Sequence, residues 1–119
     1  MRIQERKLDD VTVLDLDGKF VLGEDGQFKK IVAANIEGGV RKLIVNLSGV
    51  NYMDSSGLGE LISGYISMKR ASGSMKLLHL GNRLTELLVT TKLITVFETF
   101  DSEDAAISSF APAQESAIA

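Results

Sequence analysis

The hydrophobic positions follow two different periods along the chain, that of strands near the start and that of helices further on. Near the start, the β-branched run Val11–Leu16 lies between the turn signals Asp9-Asp10 and Asp17-Gly18, and Ile3–Lys7 alternates weakly before it. These two segments predict an antiparallel hairpin. Two short apolar runs predict additional strands, at Lys42–Leu47 and Met75–Leu78.

Helical spacing first appears over residues 26–38 and is clearest over Ser56–Ala71. The apolar face predicted for this second helix consists of Leu58, Leu61, Ile62, Tyr65, Ile66 and the stem of Lys69. Asn82 and Ser102 are predicted to cap two later helices, because their side chains accept hydrogen bonds from first-turn amides. Strands that alternate with helices after a hairpin predict an α/β fold with helices packed on a mixed β-sheet.

Length and composition are those of an ordinary globular protein of one domain. The chain has 119 residues, of which 45% are hydrophobic and 24% are charged. We expect a single domain over residues 1–110. Residues 111–119 are mostly small or polar and bury too little apolar surface to offset the entropy of ordering, so a flexible tail is predicted there.

Residue content and charge exclude several functional classes. The chain has no cysteine, which removes disulfides, thiolate metal sites and cysteine nucleophiles. The net charge of −3 argues against a nucleic-acid partner, because no basic stripe is available to neutralise phosphates. No apolar run is long enough to span a bilayer, and the start of the chain is too polar for a signal peptide. We therefore expect a cytoplasmic protein without membrane association.

The motifs of common enzymes are incomplete in this chain. Gly18-Lys19 lacks the upstream glycine and following hydroxyl of a phosphate-binding loop, and Gly57-Leu58-Gly59 lacks the third glycine of a dinucleotide fingerprint. The single histidine, His79, cannot build a transition-metal site unaided. A combination of Ser55, His79 and an aspartate is left open by geometry, but no spacing supports it. We expect no enzymatic activity, no cofactor and no metal.

The segment before the clearest helix is not typical of a scaffold loop. Asp54, Ser55 and Ser56 are all good N-cap residues, and capping accounts for one or two of them. Capping does not account for Gly57 and Gly59 inside the first turn, where each glycine costs about 1 kcal/mol relative to alanine. Such a cost is usually tolerated because something approaches the backbone closely.

Most residues of a strip beside the apolar face of this helix are also small. The strip consists of Gly57, Glu60, Gly64 and Ser67. Small side chains allow close approach, either by another protein or by a neighbouring loop of the same domain.

A serine at the start of a helix can also hold a phosphate. It lies among free amide donors at the positive end of the helix dipole. Phosphorylation adds about 1.5 to 2 negative charges at neutral pH, and Asp54 beside the serine increases the crowding of like charges. A partner that buries this segment would reject the phosphate through its desolvation cost. The residues leave two interpretations open, a plain capped helix and a phosphorylation switch.

The residues from Met53 to Gly59 (Met-Asp-Ser-Ser-Gly-Leu-Gly), after the strand Leu43–Leu47, resemble the signature of the bacterial anti-sigma factor antagonists, stand-alone members of the STAS domain family. The similarity extends from the opening hairpin to the final helix. It implies a small mixed sheet with helices packed largely on one face. Many members have an acidic loop before the first helix, and the segment Val21–Gly26 is only loosely similar to it.

The resemblance implies that an anti-sigma factor that is also a serine kinase phosphorylates Ser55, using ATP that the kinase binds. The unmodified protein binds the kinase and frees a sigma factor, the phosphorylated form binds poorly, and a serine phosphatase restores it. Asp54 is implied to position the hydroxyl, Ser56 to cap the helix, and Gly57 to give the kinase room. The residues implied to shape the acceptor loop and bind the partner are Asp54, Ser56, Gly57, Leu58, Glu60 and Gly64.

Two alternatives within the same fold stay open. One is a constitutive scaffold of a signalling assembly, or a subunit that regulates a transporter, which would keep the docking helix without a reversible Ser55. The other is a carrier of a small ligand such as a lipid or a nucleotide, which an apolar cavity beside the helix would favour.

Overall fold

The computed structural model describes residues 1–21 and 26–110. Two expectations concern residues outside these ranges, the flexible tail over 111–119 and most of the glycine-rich segment between Val21 and Gly26. Within the described part of the chain, none of the helices combines the length and apolar character needed to cross a lipid bilayer.

Five strands form one mixed sheet in the order β1-β2-β3-β4-β5. They are β1 (Arg2–Leu8), β2 (Val11–Phe20), β3 (Lys42–Met53), β4 (Ser74–Leu78) and β5 (Thr99–Phe100). β1 and β2 are antiparallel, with Leu8 paired to Val11 beside the turn, and each later strand is parallel to its neighbour. The predicted hairpin and mixed sheet are therefore confirmed. The short strand β5 was not predicted, because two residues carry no detectable period.

Three of the four helices cross over between parallel strands on one face of the sheet. The helices are α1 (Gln27–Glu37), α2 (Ser55–Arg70), α3 (Asn82–Thr90) and α4 (Glu103–Ser108). The larger core joins α1, α2 and α3 to alternate strand residues, namely Leu14, Leu16, Leu43, Val45, Leu47, Met75 and Leu77. The smaller core lies on the other face, under α4, and contains Val11, Val13, Ile44, Leu78, Ala106 and Phe110. The helices thus pack largely on one face, as expected.

Charged and polar groups fasten α4 to its face of the sheet. Arg6 donates to Asp15 Oδ2 at 2.5 Å and to Glu103 Oε1 at 2.6 Å. The guanidinium holds the pKa values of both carboxyl groups below their usual range, through these hydrogen bonds. Lys76 is buried and donates to Ser109 Oγ at 2.6 Å. Ion pairs and hydrogen bonds therefore hold α4 on the sheet, in addition to its apolar contacts.

The caps of the last two helices match the sequence predictions in one case only. Ser102 caps α4, and its Oγ accepts a hydrogen bond from the Ala105 N–H at 3.3 Å. The N-cap of α3 is Gly81 and not Asn82, which is already the first helical residue. Gly81 takes a φ of 61° and a ψ of 166°, an extended conformation with positive φ that glycine adopts without strain. The prediction for Asn82 is therefore wrong.

Candidate functional site

The Asp-Ser-Ser-Gly segment lies where β3 ends and α2 begins. β3 continues beyond the predicted Leu47 to Met53, because its second half pairs with the end of β2. Only Asp54 remains between the strand and the helix, so α2 begins at Ser55 and not at Ser56 as predicted. The junction is therefore a one-residue turn rather than a loop.

Asp54 is the N-cap of α2. Its Oδ1 accepts a hydrogen bond from the Gly57 N–H at 2.8 Å, and its carbonyl accepts one from the Leu58 N–H at 3.0 Å. Its own N–H donates to the Phe20 carbonyl at 3.4 Å, which ties the junction to the end of β2. The prediction that Ser56 caps the helix is wrong, because the helix begins one residue earlier than expected.

Ser55 occupies the first helical position and is exposed to solvent. Within the described ranges its hydroxyl has no hydrogen-bond partner. The cap of the helix is supplied by Asp54 instead. Ser56 beside it is half-buried. The positive end of the helix dipole lies at this position and favours an added negative charge, whereas the neighbouring carboxylate opposes it. Of the two serines, Ser55 is the more accessible to another protein.

The two glycines of this strip on α2, Gly57 and Gly64, face the protein's own interior. A Cβ atom on Gly57 would overlap the carbonyl oxygen of Phe20, and a Cβ atom on Gly64 would lie 2.8 Å from Cε2 of Phe28. Leu58 is only 7% exposed. These three residues, which the resemblance assigned to partner binding, are thus buried within the protein. The space that Gly57 leaves is filled by the Phe20 carbonyl, so it is not open to a kinase.

Glu60 is half-buried one turn after Ser56. Its Oε1 is buried and has no hydrogen-bond partner among the described residues. Because residues four apart lie on the same side of a helix, Glu60 shares a face with Ser56. A phosphate on Ser56 would therefore add a like charge to the face of the helix that carries Glu60.

The opposite, outward face of α2 carries residues that sequence reasoning did not assign to the site. Ile66 is 44% exposed, although the apolar pattern predicted it to be buried. Gly59 is exposed, and a Cβ atom there would meet nothing within 4 Å. Tyr52, just before the junction, is 48% exposed. The prediction for Ile66 is wrong because Gly57 and Gly64, which carry no apolar side chain, occupy the buried face.

His79 lies apart from this junction, at the end of β4. Its side chain is exposed, and it lines a groove of about 750 Å³ at the carboxyl ends of β3 and β4 together with Asn51 and Arg83. Ser55 is not among the residues that line this groove. Within residues 1–21 and 26–110, no group of three acidic, histidine or cysteine side chains could hold a metal ion.

Family and structural comparisons agree with this architecture. The STAS domain family model matches residues 2–106 of the chain. A protein of Bordetella bronchiseptica described as a candidate anti-sigma factor antagonist, BtrV, is 22% identical over 110 residues, which is 92% of this chain and 95% of that protein.

Two solved structures share the fold. A candidate anti-sigma factor antagonist from Thermotoga maritima has a TM-score of 0.84 and 23% identity, with 90% of this chain and 92% of that one covered. SpoIIAA of Bacillus in its phosphorylated form has a TM-score of 0.71 and 20% identity, with 92% and 99% covered. The chain therefore belongs to the STAS domain family and has the fold of the anti-sigma factor antagonists.

Proposed function

We propose that this protein is an anti-sigma factor antagonist that binds an anti-sigma factor with serine kinase activity and thereby frees a sigma factor. The kinase transfers a phosphoryl group from its bound ATP to Ser55. The phosphorylated form binds poorly, and a serine phosphatase restores the binding form. A relative described as a candidate anti-sigma factor antagonist supports the class of partner, and a similar fold has been solved in a phosphorylated form.

The state of the Ser55 hydroxyl carries this proposal. The side chain is exposed at the first position of α2, and it forms no hydrogen bond within the described residues. Because Asp54 caps the helix through the Gly57 N–H, modification of Ser55 leaves the cap intact. A phosphate can therefore be added and removed without a large change in the stability of the fold.

The electrostatics of the junction explain why the phosphate weakens binding. Phosphorylation adds about 1.5 to 2 negative charges directly beside the Asp54 carboxylate. In the free protein, water screens this charge. In a complex that covers the start of α2, the phosphate must lose its hydration, and no basic side chain of α2 precedes Lys69 to offset that cost.

The first experiment measures binding of the purified protein to the purified anti-sigma factor kinase of the same host by titration calorimetry. We expect the unmodified protein and Ser55→Ala to bind, and Ser55→Asp to bind at least about tenfold more weakly with an unchanged melting temperature. Equal binding of all three proteins would contradict the switch. A large drop in the melting temperature of Ser55→Asp would instead identify Ser55 as a structural residue.

A second experiment identifies the acceptor. The kinase and ATP are incubated with the unmodified protein, with Ser55→Ala and with Ser56→Ala as the matched control, and phosphate is located by mass spectrometry. We expect modification of the unmodified protein and of Ser56→Ala only. A phosphate on Ser56 in the Ser55→Ala variant would move the acceptor by one residue.

A further inference from the structure

Two phenylalanine rings contact each other between the end of β2 and the start of α1. Phe20 is the last residue of β2, and Phe28 lies in the first turn of α1. Both are buried, with 1% and 0% of their surface exposed. Their ring centroids are 5.2 Å apart and the ring planes are tilted by 57°, which is a favourable aromatic contact. The pair therefore joins these two elements inside the larger core.

Each member of this pair meets α2 at a glycine. The carbonyl oxygen of Phe20 occupies the place of a Cβ atom on Gly57, and Cε2 of Phe28 lies 2.8 Å from the place of a Cβ atom on Gly64. The two glycines are two helical turns apart, or about 10 Å along the axis. The helix therefore contacts the pair at two points, one in its first turn and one near its middle.

Phe20 also contacts the junction that carries the acceptor serine. Its carbonyl accepts the hydrogen bond from the Asp54 N–H at 3.4 Å, and it lies against Gly57 on the other side of Ser55. The position of this carbonyl therefore sets the path of the backbone on both sides of Ser55. Phe28 acts on that path through the Phe20 ring.

We infer that Phe28 is a positioning residue for the phosphorylation of Ser55. The inference rests on the proposed function, in which the Ser55 oxygen bonds to the γ-phosphorus of kinase-bound ATP. The bond from that phosphorus to the leaving ADP breaks, and the hydroxyl proton passes to a base of the kinase. Such a transfer depends on the placement of the hydroxyl, because a displacement of about 1 Å can lower the rate by about a hundredfold.

The test measures phosphorylation of Phe28→Leu by the purified host anti-sigma factor kinase, at a temperature where circular dichroism shows every variant to be folded. Leucine lacks the outer ring carbons, which are the atoms that lie against Gly64. We expect kcat to fall by about tenfold and KM to change by less than about twofold, because the exposed side chains are unaltered and only the reacting hydroxyl is displaced.

Leu88→Ala is the matched control, because it removes as many buried carbon atoms as Phe28→Leu does. Leu88 is 2% exposed in the same core, but it lies on α3, which crosses over between β4 and β5. We expect a comparable fall in melting temperature and a change in kcat of less than about twofold. A wild-type kcat for Phe28→Leu, or an equal fall in kcat for Leu88→Ala, would overturn the inference.

Gly64→Ala provides a rescue. Alone, its methyl group overlaps the Phe28 ring and should lower kcat by about threefold. Combined with Phe28→Leu, it occupies the space that the ring carbons leave, so the double variant should recover a kcat within about threefold of the unmodified protein. A loss in the double variant equal to the product of the two single losses would overturn the inference.

Amide chemical shifts separate this inference from the proposed function, because they are measured by NMR without the kinase. We expect Phe28→Leu to shift the amide signals of Ser55, Ser56 and Gly57, and Leu88→Ala to leave them unchanged. Unshifted signals in Phe28→Leu would overturn the positioning role. Shifted signals, together with no phosphate on Ser55 of the unmodified protein, would overturn the phosphorylation switch and leave the coupling between Phe28 and Ser55 in place.

Discussion

The inward face of α2 places Gly57 and Gly64 against the protein's own chain, whereas the outward face leaves Ser55, Gly59 and Ile66 in solvent. Both faces contain glycine, but the structural consequence of the missing side chain differs between them. On the inward face, the missing side chain allows α2 to approach β2 and α1. On the outward face, the missing side chain leaves the helix surface bare.

This contrast shows that a residue type alone does not define a role in the site. Because the signature residues are contiguous in sequence, they predict one functional segment. In the helix they separate by direction, since successive residues are about 100° apart around the axis. The position of α2 is set by the contacts of Gly57, Leu58 and Gly64. That position leaves Ser55 exposed to solvent.

The largest difference between the two faces is expected for apolar truncations. Leu61 is 1% exposed on the inward face, and Leu61→Ala should lower the free energy of unfolding by about 2–5 kcal/mol, because it leaves a cavity in the larger core. Ile66→Ala on the outward face should change it by less than about 0.5 kcal/mol. Urea denaturation followed by circular dichroism measures both values. Similar losses for the two variants would mean that Ile66 belongs to the core.

Glycine-to-alanine substitutions test the same contrast by adding atoms instead of removing them. Gly57→Ala should lower the free energy of unfolding by about 1–3 kcal/mol, because the obstacle is the Phe20 backbone carbonyl, which moves only with β2. Gly64→Ala should cost less, because the Phe28 ring can rotate slightly. The same denaturation experiments give both values. A stable Gly57→Ala variant would contradict the close contact between α2 and β2.

Much of the fold was predictable from periodicity, because most of its elements bury a regular face. The run Val11–Leu16 alternates between the two cores, and the apolar residues of Lys42–Leu47 are buried on both sides of the sheet. The second half of β3 was missed because its side chains are largely polar or exposed. Its pairing with the end of β2 depends on backbone hydrogen bonds, which leave no pattern in the side chains.

The segment that forms the candidate site was predictable from the sequence. Which of its residues cap the helix and which face solvent was not. Ser55 was identified through the resemblance of the signature, and its exposure agrees with a role as acceptor. The cap was assigned to Ser56 because three adjacent residues could all serve, and only the length of β3 decides between them. Ile66 was assigned to the core because hydrophobic periodicity gives no weight to glycine, which occupies much of the buried face.

The cap offers a smaller test at the boundary between the two faces. Asp54→Ala removes the acceptor for the Gly57 N–H and should lower the free energy of unfolding by about 1 kcal/mol. Ser56→Ala is the matched control and should change it by less than about 0.5 kcal/mol, because Ser56 is not the cap. Thermal denaturation of the two variants distinguishes them. If Ser56→Ala is destabilised more than Asp54→Ala, the N-cap is Ser56 and not Asp54.

The smallest expected effect is a difference in pH sensitivity between two helices. α2 packs through apolar and glycine contacts, whereas ion pairs help to hold α4. Arg6 lowers the pKa values of Asp15 and Glu103 below their unfolded values of about 4, so their stabilising contribution is complete above that pH. It is lost as the pH falls through the lower folded-state pKa values.

Below about pH 4, amide hydrogen exchange corrected for intrinsic rates should therefore show α4 losing protection before α2 does. Glu103→Gln should remove most of this difference, because a neutral amide does not titrate. If α2 and α4 lose protection together in the unmodified protein, α4 is not a separately opening unit, and the ion pairs contribute to the whole fold rather than to one helix.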